Sequence, residues 1–215
     1  MERLRQLARR PDPVKWLFIG DSITHGALHT FGWRDYVELF AERIRFELGR
    51  GMDVVINTAI SGDSTRGLLA TFDWRVKQFR PDAVFIMIGM NDCSASRALG
   101  LAEFEENLTR LIDGVLALRA VPALETSCLI RAGGDPSREP GFGACMEAVR
   151  RVAAARSLPL VDHERYWREC GTRTTYWMSD AIHPNEYGHR AFAERLFRDM
   201  GIFDPASQTC RLHIP

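Results

Sequence analysis

Apolar and polar positions fall along this chain in two alternating rhythms. Residues 14–19, Val14-Lys15-Trp16-Leu17-Phe18-Ile19, are almost continuous in apolar and β-forming side chains, the pattern of a strand buried on both faces of a parallel sheet. Residues 33–48 instead place apolar side chains at Tyr36, Val37, Leu39, Phe40, Ile44 and Leu48 with charges between them. That spacing predicts an amphipathic helix closed by Gly49 and Gly51. The pair then recurs. Residues 54–56 predict a second strand running out near Ala59, with a helix after Ser64 to about Phe79, and residues 83–88 predict a third strand, the most apolar of all. A helix over 103–119, a fourth strand over 121–130, a helix over 146–155, a short fifth strand over 158–161 and a last helix over 187–200 complete the series. Residues 3–10 predict a short surface helix ended by Pro11 and Pro13. The Gly- and Pro-rich stretch from Arg131 to Gly141 predicts an exposed loop able to shape specificity.

Strands alternating with helices in this way predict an α/β fold: a central parallel five-stranded sheet with helices on both faces and right-handed crossovers. One domain over residues 14–200 is expected, with an N-terminal extension over 1–13 and a C-terminal tail over 201–215. In such a sheet all strands end on the same edge, so the loops at Gly20 to Ser22, at Gly62 and at Gly89 to Asn91 converge there. Three polar, glycine-bearing loops on one edge mark a candidate site.

Composition narrows the function without defining it. Acidic and basic residues balance at 28 each over 215 residues, so there is no basic field for nucleic acid and none is expected as a partner. The five cysteines are widely spaced with no C-x-x-C pair, which predicts reduced, small hydrophobes and no zinc site of that kind. The first ten residues lack a secretory apolar run, and no stretch is long enough to cross a bilayer. A cytoplasmic protein with no integral membrane association is expected, its oligomeric state unreadable.

Chemistry enters at Gly20-Asp21-Ser22-Ile23. A short hydroxyl residue at the end of a buried strand is either part of a capped turn or an exposed nucleophile. A nucleophilic serine needs a base, a group that orients the base, and donors for an oxyanion. Of the six histidines, His183 alone sits in Asp180-Ala-Ile-His183-Pro184, with a carboxylate three residues upstream. Pro184 disfavours helix at His183, so a turn is predicted on which Asp180 reaches Nδ1 and leaves Nε2 facing outward.

Together these residues resemble the SGNH hydrolase superfamily, the GDSL or GDSI esterases and lipases. Gly20-Asp21-Ser22-Ile23 resembles its first block, Gly62 in Ser61-Gly62-Asp63-Ser64 the second, Asn91 in Gly89-Met90-Asn91-Asp92 the third, and Asp180 with His183 the last. The resemblance implies Ser22 as nucleophile, His183 and Asp180 as its partners, and an oxyanion hole from Ser22, Gly62 and Asn91. It also implies a three-layer α/β/α sandwich of flavodoxin-like topology, about 2-1-3-4-5, and a cofactor-free and metal-free serine hydrolase of small acyl esters. Acyl transfer or thioester cleavage would use the same residues. A flavodoxin-like module binding phosphate or nucleotide is the rival, opposed by the lack of a P-loop lysine and by Asp21.

Several neighbours compete on composition alone. Gly62-Asp63-Ser64 repeats Gly-Asp-Ser, and only the family pattern and its place after the first strand favour Ser22 over Ser64. Asp21, Asp63 and Asp92 read as turn and loop anchors, the lesser alternative being that one helps hold Asn91. His25 and His29 have metal-helix spacing but no following Glu, and read as structural or pocket-lining. His189 reads as packing or capping, and Cys93 as a small hydrophobe. Tyr176, Trp177 and Met178 read equally as a pocket wall and as core.

Overall fold

In the computed structural model, which describes residues 1–215, β1 (Lys15–Gly20), β2 (Val54–Asn57), β3 (Ala83–Met87), β4 (Val121–Glu125) and β5 (Leu160–Val161) form one sheet ordered β2-β1-β3-β4-β5. Every pairing is parallel. The order reverses between β1 and β3, the place where open α/β sheets leave a crevice at their strand ends.

Alternation along β1 decides what each face packs against. Trp16 and Phe18 point to one side, where α3 (Tyr36–Glu42) lies. The register puts Phe18 beside Phe85 of β3, their rings stacked 4.4 Å apart, and Phe40 of α3 closes edge-on over Phe18 at 5.1 Å and Trp16 at 5.5 Å. α1 (Glu2–Arg9) and α9 (Glu186–Met200) belong to the α3 layer; α4 (Thr65–Ala70), α6 (Leu101–Ala117) and α7 (Glu139–Ala155) form the other. One continuous core runs from Leu4 to Met200. The last residues are tied back onto the body: Thr209 donates its N–H to Glu47 at 2.9 Å, and Trp177 Nε1 donates to the Pro215 carbonyl at 3.0 Å. No helix is long and apolar enough to cross a membrane.

Element boundaries differ from expectation where a neighbour or a cap intervenes. β4 stops at Glu125 instead of 130, because β5 offers only two residues to pair with and the Thr126 N–H to the Val161 carbonyl is the last rung. α3 starts at Tyr36 instead of 33, where Asp35 and Glu38 form a capping box, and its last turn widens into a π-helix at Arg43–Glu47. The helix expected to run to Phe79 is broken into α4, α5 (Phe72–Arg75) and a 3-10 turn, Lys77–Phe79. α7 begins at Glu139 with Pro140 in its first turn, so the end of the expected loop is helical. α8 (His163–Cys170) and the 3-10 segment Gly171–Trp177 were not predicted. Of the α8 side chains only His163, Glu164 and Trp167 are buried, and two of those three are polar, which leaves no apolar stripe to read.

Candidate active site

At the end of β1 the chain turns at Asp21, whose extended backbone (φ −102°, ψ −153°) opens the single-turn helix α2 (Ser22–His25). Asp21, not Ser22, is the cap: its carboxylate accepts the Ile23 N–H at 3.0 Å. Gly26, at φ +71°, closes the turn in the left-handed region that glycine favours. The Ser22 hydroxyl is thereby spared from capping. Its Oγ lies 2.9 Å from His183 Nε2, and His183 Nδ1 lies 2.8 Å from Asp180 Oδ2.

His183 is reached across most of the chain, so its turn must be fixed by other contacts. Ser179 N–H donates to the His183 carbonyl at 2.9 Å, Asn185 N–H to the Trp177 carbonyl at 2.8 Å, and Arg131 N–H to the Ala181 carbonyl at 2.8 Å. Asp180 Oδ1 accepts the N–H groups of Ile182 and His183 at 2.9 and 2.8 Å. Burial opposes ionisation of Asp180, but these two N–H groups and the His183 ring outweigh it and hold the carboxyl below its ordinary range.

Gly62 and Asn91 meet the same crevice from β2 and β3. Gly62 sits at φ +80°, its carbonyl accepts Arg97 Nη2 at 2.8 Å, and its N–H has no acceptor within the protein. Asn91 Nδ2 donates to the Asp63 carbonyl at 2.9 Å, while its Oδ1 accepts Arg138 Nη2 at 3.1 Å.

The three aspartates are anchors. Asp63 accepts the Ser64 N–H at 2.8 Å and pairs with buried Arg75. Asp92 accepts the Thr65 N–H at 2.8 Å and so caps α4. Burial pushes Asp21 up to about 7, with the charges of Asp92 and Asp63 adding to the rise and the Ile23 N–H and Arg138 opposing it. Ser64 caps nothing and makes no side-chain hydrogen bond to a histidine, whereas Ser61 Oγ is 3.0 Å from His25 Nδ1.

Two arginines were not flagged by the sequence, and His29, read as structural or pocket-lining, has a more specific place. Arg75, 2% exposed, donates to the carbonyls of Gly20 (3.1 Å) and Thr58 (2.8 Å) besides pairing with Asp63, which lashes the loops after β1 and β2 together. Arg138 holds Asn91. His29 lies flat on His183, ring centroids 3.6 Å apart and planes within 3°, with its Nδ1 3.6 Å from Asp180 Oδ2. No pattern marks an arginine as reaching into a site, and only the i, i+4 relation to His25 distinguished His29.

His29, Asp180 and His183 bring three donor atoms within 4.8 Å of one another. Imidazole binds a metal in its ring plane at about 2.0–2.1 Å. Parallel rings separated by 3.6 Å leave a point midway between them half that distance out of both planes, so the stack suits ring-on-ring contact and not shared ligation.

The remaining candidates are structural. His189 is buried, accepts the Tyr36 N–H on Nδ1 at 3.2 Å, and burial lowers its pKa to about 3. Cys93 donates to the Met90 carbonyl at 3.1 Å, and contact with Cys145 together with burial raises its thiol pKa. Trp177 is core while Tyr176 is exposed. Met178 joins Leu129, Arg131, Trp167 and Thr174 around a cavity of about 320 Å³ that neither Ser22 nor His183 lines.

Residues 18–191 match the GDSL-like lipase/acylhydrolase family. The chain belongs to that family. This GDSL hydrolase is 29% identical over 213 residues to the acetylxylan esterase of Geobacillus stearothermophilus, covering 87% of this chain and 94% of that one. The crystal structure of that esterase superposes with a TM-score of 0.75 at 26% identity, over 91% and 97% of the two chains. A lipase/acylhydrolase from Enterococcus faecalis superposes with a TM-score of 0.78 at 26% identity, over 90% and 99%. An uncharacterised protein of Mycoplasma pneumoniae is 37% identical over 103 residues, 46% of this chain but only 12% of its own length. The present GDSL protein is thus a serine hydrolase acting on ester bonds.

Proposed function

We propose that this GDSL esterase cleaves small acyl esters through Ser22, His183 and Asp180, with the oxyanion held by the N–H groups of Ser22 and Gly62 and by Asn91 Nδ2. The unbroken hydrogen-bonded chain from Ser22 Oγ through both nitrogens of His183 to Asp180 carries the reading. Ser22 Oγ attacks the ester carbonyl carbon as its proton passes to His183 Nε2, and Asp180 holds the resulting imidazolium by Nδ1. The tetrahedral intermediate expels the alcohol, which takes the proton from Nε2. Water then gives a proton to Nε2 and attacks the acyl carbon, and the second tetrahedral intermediate collapses to the acid as Nε2 returns that proton to the departing Ser22 Oγ. The Geobacillus relative makes an acetyl ester of a sugar the first natural substrate class to test.

A fluorophosphonate probe followed by intact-mass analysis and peptide mapping tests the nucleophile. One adduct on Ser22 is expected; an adduct on Ser64, or none on folded protein, overturns the assignment. On p-nitrophenyl acetate, Ser22→Ala and His183→Ala should each lower kcat by up to about 10⁶, and Asn91→Ala by about 10² to 10³.

A further inference from the structure

Of the three proposed oxyanion donors, two are backbone N–H groups and one is a side-chain amide. An amide has a hazard the backbone lacks: turned over, it presents a carbonyl oxygen to the anion instead of N–H. In this protein Asn91 is gripped at both ends. One Nδ2 hydrogen goes to the Asp63 carbonyl at 2.9 Å, and Oδ1 is taken by Arg138 Nη2 at 3.1 Å. Arg138 is itself restrained on two further sides: its Nε donates to the Met90 carbonyl at 3.1 Å, and its Nη1 pairs with Asp135. Asp135 in turn accepts the N–H groups of Ser137 and Arg138, both at 3.1 Å, so the carboxylate that aims the guanidinium is fixed by the same turn.

We infer that Arg138 is a positioning residue for the esterase reaction: it locks the Asn91 amide so that its second Nδ2 hydrogen faces the oxyanion, and its charge polarises that amide. The inference rests on Asn91 being an oxyanion donor. Its charge has a second use there. Buried Asp21 stands beside the place where negative charge must develop, and the charge of Arg138 acts on Asp21 against the effect of its burial. A charge-assisted hydrogen bond to Oδ1 is stronger than a neutral one, and a fixed guanidinium costs no rearrangement at the moment of reaction.

A double-mutant cycle separates this role from simple loop anchoring. Arg138→Met should lower kcat on p-nitrophenyl acetate by roughly ten- to a hundred-fold with KM little changed, the size expected when a reacting partner is misaimed. In an Asn91→Ala background the same substitution should cost less than about threefold, because no amide is left to aim. Arg138→Lys, which keeps the charge without the planar fork, should fall between. Equal losses from Arg138→Met in both backgrounds, or near-native kcat for Arg138→Met alone, overturn the positioning role. Near-native kcat for Asn91→Ala overturns the oxyanion reading itself, whatever Arg138 does. If Arg138→Met fails to fold, Asp135→Asn loosens the same guanidinium and should show the same dependence on Asn91, with independence again overturning the role.

Discussion

At the scale of single residues, the site is made by relieving side chains of competing work. Asp21 takes the cap and frees the Ser22 hydroxyl for His183. That service has a thermodynamic signature. An aspartate in the unfolded chain has its ordinary pKa near 3.8, whereas folded Asp21 is pushed up to about 7 by burial. Between those values the folded state keeps a proton that the unfolded state has lost. The contribution of Asp21 to stability therefore falls as pH rises from about 4 through about 7, then levels. Asp21→Asn keeps an oxygen for the Ile23 N–H and removes the titration. Thermal melts across that range should show the gap between variant and parent widening in the variant's favour up to about pH 7. His29 offers a second check. Burial lowers its pKa, the facing charge of His183 lowers it further, and Asp180 raises it. Histidine-labelled NMR titrations should thus find the His29 pKa higher in His183→Ala and lower in Asp180→Asn than in the parent. The motif residues were legible because each has a chemical identity that a spacing can flag. Arg138 was not, and His29 was legible only as structural or pocket-lining, since the contacts each makes depend on which loop folds against which.

At the scale of elements, apolar density was the most readable property. β1 and β3 were found within a residue or two because both faces of a central strand are buried, so every position carries the signal. The strand β4 was overextended because β-forming and apolar residues, Thr126 and then Cys128, Leu129 and Ile130, continue after its partner β5 has ended. A ladder stops when either strand stops. Short polar helices such as α8 were invisible for the opposite reason: Arg150 secures Asp162 at the α8 cap through two hydrogen bonds of 2.9 and 2.8 Å and pairs with Glu164, giving that helix ionic support in place of an apolar stripe. A similar device, more deeply buried, joins α5 to the site. Removing Arg75 would leave Asp63 charged and only 11% exposed beside the Gly62 turn. Arg75→Met should therefore destabilise the fold by about 3–5 kcal/mol, read as a shift in the urea midpoint at constant slope.

At the scale of the whole molecule, the sheet order was carried by resemblance, since pattern and composition say which segments are strands but not which lie side by side. Once the order is β2-β1-β3-β4-β5, Ser22, Gly62 and Asn91 share one edge with no further information. His183 does not follow from the sheet. It arrives on a turn beyond the last strand, 161 residues from the serine it touches. That separation has a consequence in time. Contacts between distant parts of a chain close late, after the local helices and neighbouring strands have formed. On dilution from denaturant, esterase activity should return no sooner than the slowest phase in tryptophan fluorescence, and behind the recovery of helical circular dichroism. The same ordering applies during synthesis: on the proposed mechanism, a nascent chain that has already folded β1, β2 and β3 carries Ser22 without its base, and gains esterase activity only when the turn bearing His183 has left the ribosome.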